Sequence, residues 1–218
     1  MSQPIELVVH RGSPPSNSYV WSPFVTKLEA RLRFDAIPYR LGSGTPRTAP
    51  KGKIPYVEVN SEAFGDSTLI IRNLVSNGIV RDLNATLDGA TAAHDLGLRS
   101  MMEDRVYFYG TREKWVDNYH VMRTNMLASV PWPIQRVVGW MVYNKIDATL
   151  QGQGTGRLTE DEVRAFKEEV WENVNGLVTE AKKQANGDEP FWILGGDEPT
   201  EADATLFGFV VGALICDA

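Results

Sequence analysis

An α/β unit followed by an all-α unit is the fold class this 218-residue sequence predicts, and three observations lead to it. Short β-branched runs alternate with helical patterns up to Ser76, whereas after Asn77 apolar residues recur at spacing three to four over long stretches. At 43% hydrophobic and 23% charged residues, the composition is that of an ordinary globular chain. A chain of this length buries roughly 70% of its unfolded surface. The change of pattern divides the chain into a domain over 1–76, a linker over 77–90 and a helical domain over 91–218.

The first element is a strand over Ile5 to His10, followed by a loop rich in Gly, Ser, Pro and Asn from Arg11 to Ser18. Pro23 opens a helix in which Val25, Leu28, Leu32 and Ala36 share one face. Ile37 to Leu41 reads as a second strand and Gly42 to Gly52 as a loop. Ile54 to Val59 reads as a third strand, turning at Asn60 and Ser61 into a fourth at Ala63 and Phe64. A helix follows over Asp66 to Val75. The first two strands are joined by a helix and the last two by a hairpin, so the order is βαβ-ββα, that of a thioredoxin-like domain.

The second half predicts helices over Ala92 to Trp115, Pro133 to Gln151, Thr159 to Lys183 and Glu201 to Cys216. Capping boxes mark two of the starts, Thr159 with Glu162 and Thr200 with Asp203. Val163, Phe166, Val170, Val174, Leu177 and Ala181 form one apolar stripe that a helical bundle would cover. Gly152 to Gly156 lacks a preceding strand and a P-loop lysine, so it reads as a helix connector rather than a phosphate cradle.

Composition also removes function classes. A net charge of −6 argues against a general nucleic-acid surface. No signal or transit peptide is readable over Met1 to Leu7, and no apolar stretch reaches the roughly 20 residues of a membrane span. The single cysteine, Cys216, forms no internal disulfide and favours a reducing compartment, hence a cytoplasmic location. His10, His94 and His120 lack ligand spacing, so no metal is expected. No G-x-S-x-G or H-E-x-x-H motif is present. Trp115, Tyr119, His120, Trp132 and Trp140 suit a bundle core or an apolar pocket wall.

Three short stretches carry candidate chemistry. Ser22 precedes Pro23, which puts a hydroxyl at a helix N-cap where amide donors and the positive dipole end would favour a thiolate. Lys53-Ile54-Pro55 starts a strand. A cis bond before Pro55 would turn the Ile54 amide and carbonyl away from the sheet, toward an extended peptide. Asp66 and Ser67 open the next helix, with free amides suited to a carboxylate and an acid suited to an ammonium. The thioredoxin-like order would bring all three to one edge. Residues 27–53 hold seven basic side chains against two acids. Lys27, Arg31 and Arg33 fit a solvated basic face equally well, while Arg47 and Lys53 are better placed for an anion.

Ser22-Pro23-Phe24 through Leu32, Ala49 through Val57, Asp66-Ser67, Gly154 through Arg157 and Asp197 through Phe207, especially Pro199 to Thr205, together resemble the glutathione transferase superfamily, in particular its metaxin and failed-axon-connections branch. The resemblance implies a thioredoxin-like domain with cis Pro55, a helical domain, and glutathione as cosubstrate in a groove between them. Ile54 would pair with the cysteinyl backbone, Asp66 and Ser67 would hold the γ-glutamyl end, and Lys53 and Arg47 would serve the glycyl end. Ser22, with Tyr19 as rival, would activate the thiol for attack on a small hydrophobic electrophile or peroxide, in a conjugation, lyase or isomerase reaction; a homodimer is compatible with it. The first-helix start has no cysteine, which disfavours thiol transfer. A non-catalytic scaffold like metaxin is the rival reading.

Overall fold

The computed structural model describes residues 6–12, 16, 18–128, 130–185, 187 and 189–215. Ile5, part of the Arg11–Ser18 loop, and Cys216 lie outside the described residues. Contacts cluster into two compact units, 1–99 with 184–217, and 100–183.

The first unit holds a four-stranded sheet of β1 (Leu7–His10), β2 (Arg40–Gly42), β3 (Tyr56–Val59) and β4 (Glu62–Gly65) in the order β2-β1-β3-β4. β1 and β2 run parallel, as a helical crossover between them requires, and β3 pairs antiparallel with both β1 and β4. Helix α1 (Pro23–Phe34) makes the crossover and α2 (Ser67–Ser76) follows β4. Leu7, Val9, Leu28, Leu32, Val57, Ile70, Ile71 and Leu74 form the core between sheet and helices. This is the βαβ-ββα order read from the sequence. Strand ends are shorter than expected: pairing begins at Arg40 rather than Ile37 and at Tyr56 rather than Ile54.

Two further elements complete this unit, most of α3 (Gly89–Met101) and α8 (Glu201–Ile215). α8 packs tightly on α1, because a Cβ at Gly208 would come within 2.4 Å of the Pro23 carbonyl oxygen. This contact overturns the solvated reading of Lys27 and Arg31, which are 1% and 0% exposed; Arg33 stays exposed. Arg31 Nε donates to Glu201 at 2.6 Å and its Nη1 to Asp35 at 2.8 Å, and its other terminal nitrogen reaches the Arg81 carbonyl. Asp95, fully buried on α3, accepts from the Ala202 amide, Asn84 and Arg99 at 2.7–2.8 Å.

The second unit is helical. The expected single helix over Ala92 to Trp115 is instead α3, a π turn over Met102–Val106, α4 (Tyr107–Arg112) and a second π turn over Glu113–Asp117. A helix that the sequence reading missed, α5 (Tyr119–Met126), follows. Then come α6 (Trp132–Gln153), ended by Gly154 at φ 111°, and α7 (Glu160–Gln184). The glycine-rich segment is a connector with a 3₁₀ turn over Thr155–Arg157. Thr159 and Glu162 exchange backbone-directed bonds, the Thr159 amide donating to Glu162 at 2.7 Å and the Glu162 amide to Thr159 Oγ1 at 3.2 Å. On the α7 stripe Val163, Val170, Val174 and Ala181 are buried, while Phe166 is exposed and stacks on Tyr109.

Candidate functional site

The register of the sheet gathers the candidate residues of the first unit. Tyr56 pairs with His10 of β1 on one side and Gly65 of β4 on the other. Pro55 therefore enters the sheet at the end where β1 stops and where Asp66 leaves β4. His10 also pairs with Gly42, so the loop carrying Arg47 and Lys53 departs from the same end. Two contacts tie α1 and the loop after β1 to this edge. Lys27 Nζ lies 3.0 Å from Thr68 Oγ1 in the first turn of α2, and a Cβ at Gly12 would lie 3.1 Å from the Ile54 side chain.

Asp66 is the N-cap of α2, and its Oδ1 accepts from the Thr68 and Leu69 amides at 3.1 Å each. Its backbone sits at φ 77°, ψ 118°, outside the regions open to an L residue without strain. Such strain persists where the surrounding structure holds it and clusters at ligand sites. With Thr68 and Leu69 capped, the amide of buried Ser67 is the first-turn donor that no bond engages among the described residues. The dipole end of α2 adds partial positive charge at that amide.

The Ile54–Pro55 peptide bond is cis. Among the described residues no backbone hydrogen bond holds the Ile54 amide or carbonyl, so both remain available to a peptide-like ligand. Ser22 stands at the N-cap of α1 with extended φ and ψ. Its carbonyl accepts from the Val25 and Thr26 amides, but its hydroxyl makes no capping bond. A half-buried hydroxyl at a helix N-terminus is thus left for another acceptor. Tyr19 is exposed and its ring lies 6.0 Å from that of Phe207. Arg47 and Lys53 are exposed on the loop before β3, and neither makes an ion pair or hydrogen bond among the described residues.

That loop is anchored by groups the sequence reading passed over. His10 stacks on Tyr56 with ring centroids 4.2 Å apart, and the Tyr56 hydroxyl is 3.0 Å from Thr48 Oγ1. Gly42 and Gly44 leave room for the stack, since a Cβ at either would lie 2.5–2.7 Å from His10 or Tyr56 atoms. Two glycines flanking Ser43, opposite a histidine and a tyrosine on neighbouring strands, were the available signal. His10 Nε2 also lies 3.1 Å from Glu58.

Two nearby carboxyls respond to burial. Burial pushes Glu29 up, with Arg11, Arg33 and Tyr39 pulling the other way. Arg11 Nε lies 2.9 Å from Glu29, joining the loop after β1 to α1. Asp203 is half-buried and burial raises its pKa despite bonds from the amides of Ile193 and Thr200 at 2.7 and 2.8 Å. The expected reciprocal box is one-sided here, because the Thr200 hydroxyl donates to Asp203 and the Asp203 amide bonds the Thr200 carbonyl. Asp203 is a helix cap, not a site residue.

In the second unit a cavity of about 540 Å³ is lined by Glu113, Arg164, Lys167, Trp171 and neighbours, sharing no residue with the site above. Among the described residues no group of three His, Cys, Asp or Glu could hold a metal ion. Among the described residues no helix is long and apolar enough to cross a membrane.

Residues 23–120 match the family model described as the glutathione S-transferase N-terminal domain. Among solved structures, glutathione S-transferase III in its apo form is 14% identical with a TM-score of 0.56, over 99% of this chain and 83% of that one. A delta-class glutathione transferase from Nilaparvata lugens is 13% identical, TM-score 0.49, over 95% and 77%. Glutathione transferase Omega 3C from Trametes versicolor is 17% identical, TM-score 0.48, over 99% and 75%. The fold is glutathione transferase-like: a thioredoxin-like N-terminal part with a four-stranded mixed sheet, and a helical C-terminal part.

Proposed function

We propose that the sheet edge of the first unit binds glutathione and that the chain is a glutathione transferase-type enzyme. The observation that carries the reading is the α2 start. Strained Asp66 caps two amides and leaves the Ser67 amide open, at the edge where the Ile54 backbone is also unpaired. The family match over residues 23–120 supports the same ligand. In this reading residues 1–76 form the binding domain and 91–218 the substrate domain. Membership in the metaxin and failed-axon-connections branch, a cytoplasmic location and a homodimer belong to the same proposal.

Ser67 and Asp66 take the γ-glutamyl carboxylate and ammonium. The Ile54 amide and carbonyl pair with the cysteinyl backbone, and Lys53 and Arg47 face the glycyl carboxylate. Ser22 donates a hydrogen bond from its hydroxyl to the sulfur, which favours the thiolate once the thiol proton has passed to water. The sulfur then attacks the electrophilic carbon of a small hydrophobic substrate, and the leaving group departs with the bonding pair.

The scaffold reading draws on one observation, that the α1 start offers Ser22 and Val25 and no cysteine. Conjugation of an aryl halide separates the two. Wild type is expected to turn over, and Ser22→Ala to keep its glutathione affinity while losing roughly 10²-fold in rate. Turnover unaffected by Ser22→Ala would remove Ser22 from its role and leave Tyr19 as donor. Glutathione binding without turnover would favour the scaffold.

A further inference from the structure

One helix face of the second unit has no part in the reading above. Trp132, Ile134, Val137, Trp140 and Met141 of α6 are each between 54% and 64% exposed, and Val121 and Met126 of α5 are exposed as well. Contiguous apolar surface of this kind marks an interaction site more often than scattered single residues do. At about 100° per residue, Ile134, Val137, Trp140 and Met141 fall within one arc of about 120°. Gln135, Gly139 and Leu150, which α6 buries, lie on the other side.

Charge defines what the face suits. Arg136 lies about 100° to one side of Val137 and Lys145 about 80° to the other, so a cation borders the apolar arc on each flank. Both are exposed, and the Arg136 guanidinium carbon sits 5.3 Å from the Trp132 ring centroid. From Asn118 to Ile146 the sequence holds Arg123, Arg136 and Lys145, and the next acid, Asp147, comes more than one turn beyond Met141, in a chain whose net charge is −6. The chain average conceals this local reversal.

We propose that α6 docks the protein on the surface of a bilayer containing anionic lipids. Ile134, Val137, Trp140 and Met141 enter the boundary between headgroups and acyl chains, where the Trp140 indole is favoured. Arg136 and Lys145 stay at headgroup level and meet the negative surface. The helix lies in the interface and does not cross it, consistent with its lack of a long apolar window.

Co-sedimentation of the full chain with phosphatidylcholine vesicles, with and without phosphatidylserine, tests the proposal. The chain is expected to pellet with the phosphatidylserine vesicles and to be released by salt, which shortens electrostatic range. Arg136→Glu with Lys145→Glu is expected to weaken partitioning by roughly tenfold or more. Val137→Glu with Trp140→Glu is expected to abolish it, with circular dichroism unchanged from wild type. Failure to pellet with phosphatidylserine vesicles, or undiminished pelleting of the Val137→Glu/Trp140→Glu variant, would overturn it. Self-association in sedimentation velocity that the same variant abolishes, without vesicle binding, would give the face to a second copy instead.

Discussion

Helix α1 withholds Lys27, Glu29 and Arg31 from water, whereas α6 leaves Trp132, Val137, Trp140 and Met141 in it. The two helices depart from amphipathic expectation in opposite directions. On α1 each departure has a partner inside the same unit. Arg31 meets Glu201, Asp35 and the Arg81 carbonyl, and Glu29 meets Arg11 and Arg33. Charges removed from water are tolerated when their hydrogen-bonding capacity is met. On α6 the exposed side chains stay largely open to solvent, apart from the contact of Trp132 with Arg136. A closed set of polar partners is part of holding a fold together; an open apolar face points to something outside the chain.

Breaking the α1 set carries the largest expected effect. Arg31→Met leaves Glu201 and Asp35 short of their guanidinium and should cost roughly 3–5 kcal/mol in urea unfolding. Burial pushes Asp35 up, but hydrogen bonds from Arg31 and Arg81 outweigh it and hold the carboxyl below its usual range. That contribution is present above the unfolded carboxylate pKa and is lost as pH falls through the lowered folded value. Glu201 is pushed up by burial, against the pull of Arg31 and Lys27, so it too is easily neutralised once Arg31 is gone. The deficit of Arg31→Met should therefore narrow on acidification. A deficit that is constant with pH would mean that lost packing, not lost pairing, explains it.

Asp203→Ala should cost less, roughly 0.5–2 kcal/mol, the range for a helix cap. An unchanged thermal midpoint would contradict the capping role drawn from its bonds to Ile193 and Thr200. The smallest effect belongs to α6, where Trp140→Glu should change stability by no more than about 0.5 kcal/mol. A large loss there would mean that the indole is packed within the fold, and would dissolve the contrast with α1.

What could be read from the sequence alone follows the range of the interactions involved. The cap at Asp66, the proline at 55 and the Ser22-Pro23 helix start are local signals, and each stands where the strand and helix pattern put it. The parallel pairing of β1 with β2 follows from the intervening helix. Lys27 and Arg31 were misread because the stripe of Val25, Leu28 and Leu32 describes only the core-facing side of α1. The cover on the other side comes from α8, whose Glu201 is 170 residues from Arg31. Asp95 was invisible for the same reason, since its acceptance from the Ala202 amide joins segments 107 residues apart. The helix read over Ala92 to Trp115 continues through this segment but loses its regularity at the π turns over Met102–Val106 and Glu113–Asp117, whose wider turns break the 3.6-residue spacing without ending the helix.

The most direct measurement of the central claim is calorimetric titration of the full chain with glutathione, beside Ser67→Pro, which removes the amide donor at a first helical position that tolerates proline. Saturable binding by wild type, weakened roughly 10- to 100-fold when the Ser67 amide is removed, is the predicted result for a hydrogen bond to a charged group. Absence of saturable binding by a folded wild-type chain, or equal affinity in the two proteins, would contradict a γ-glutamyl site at the start of α2.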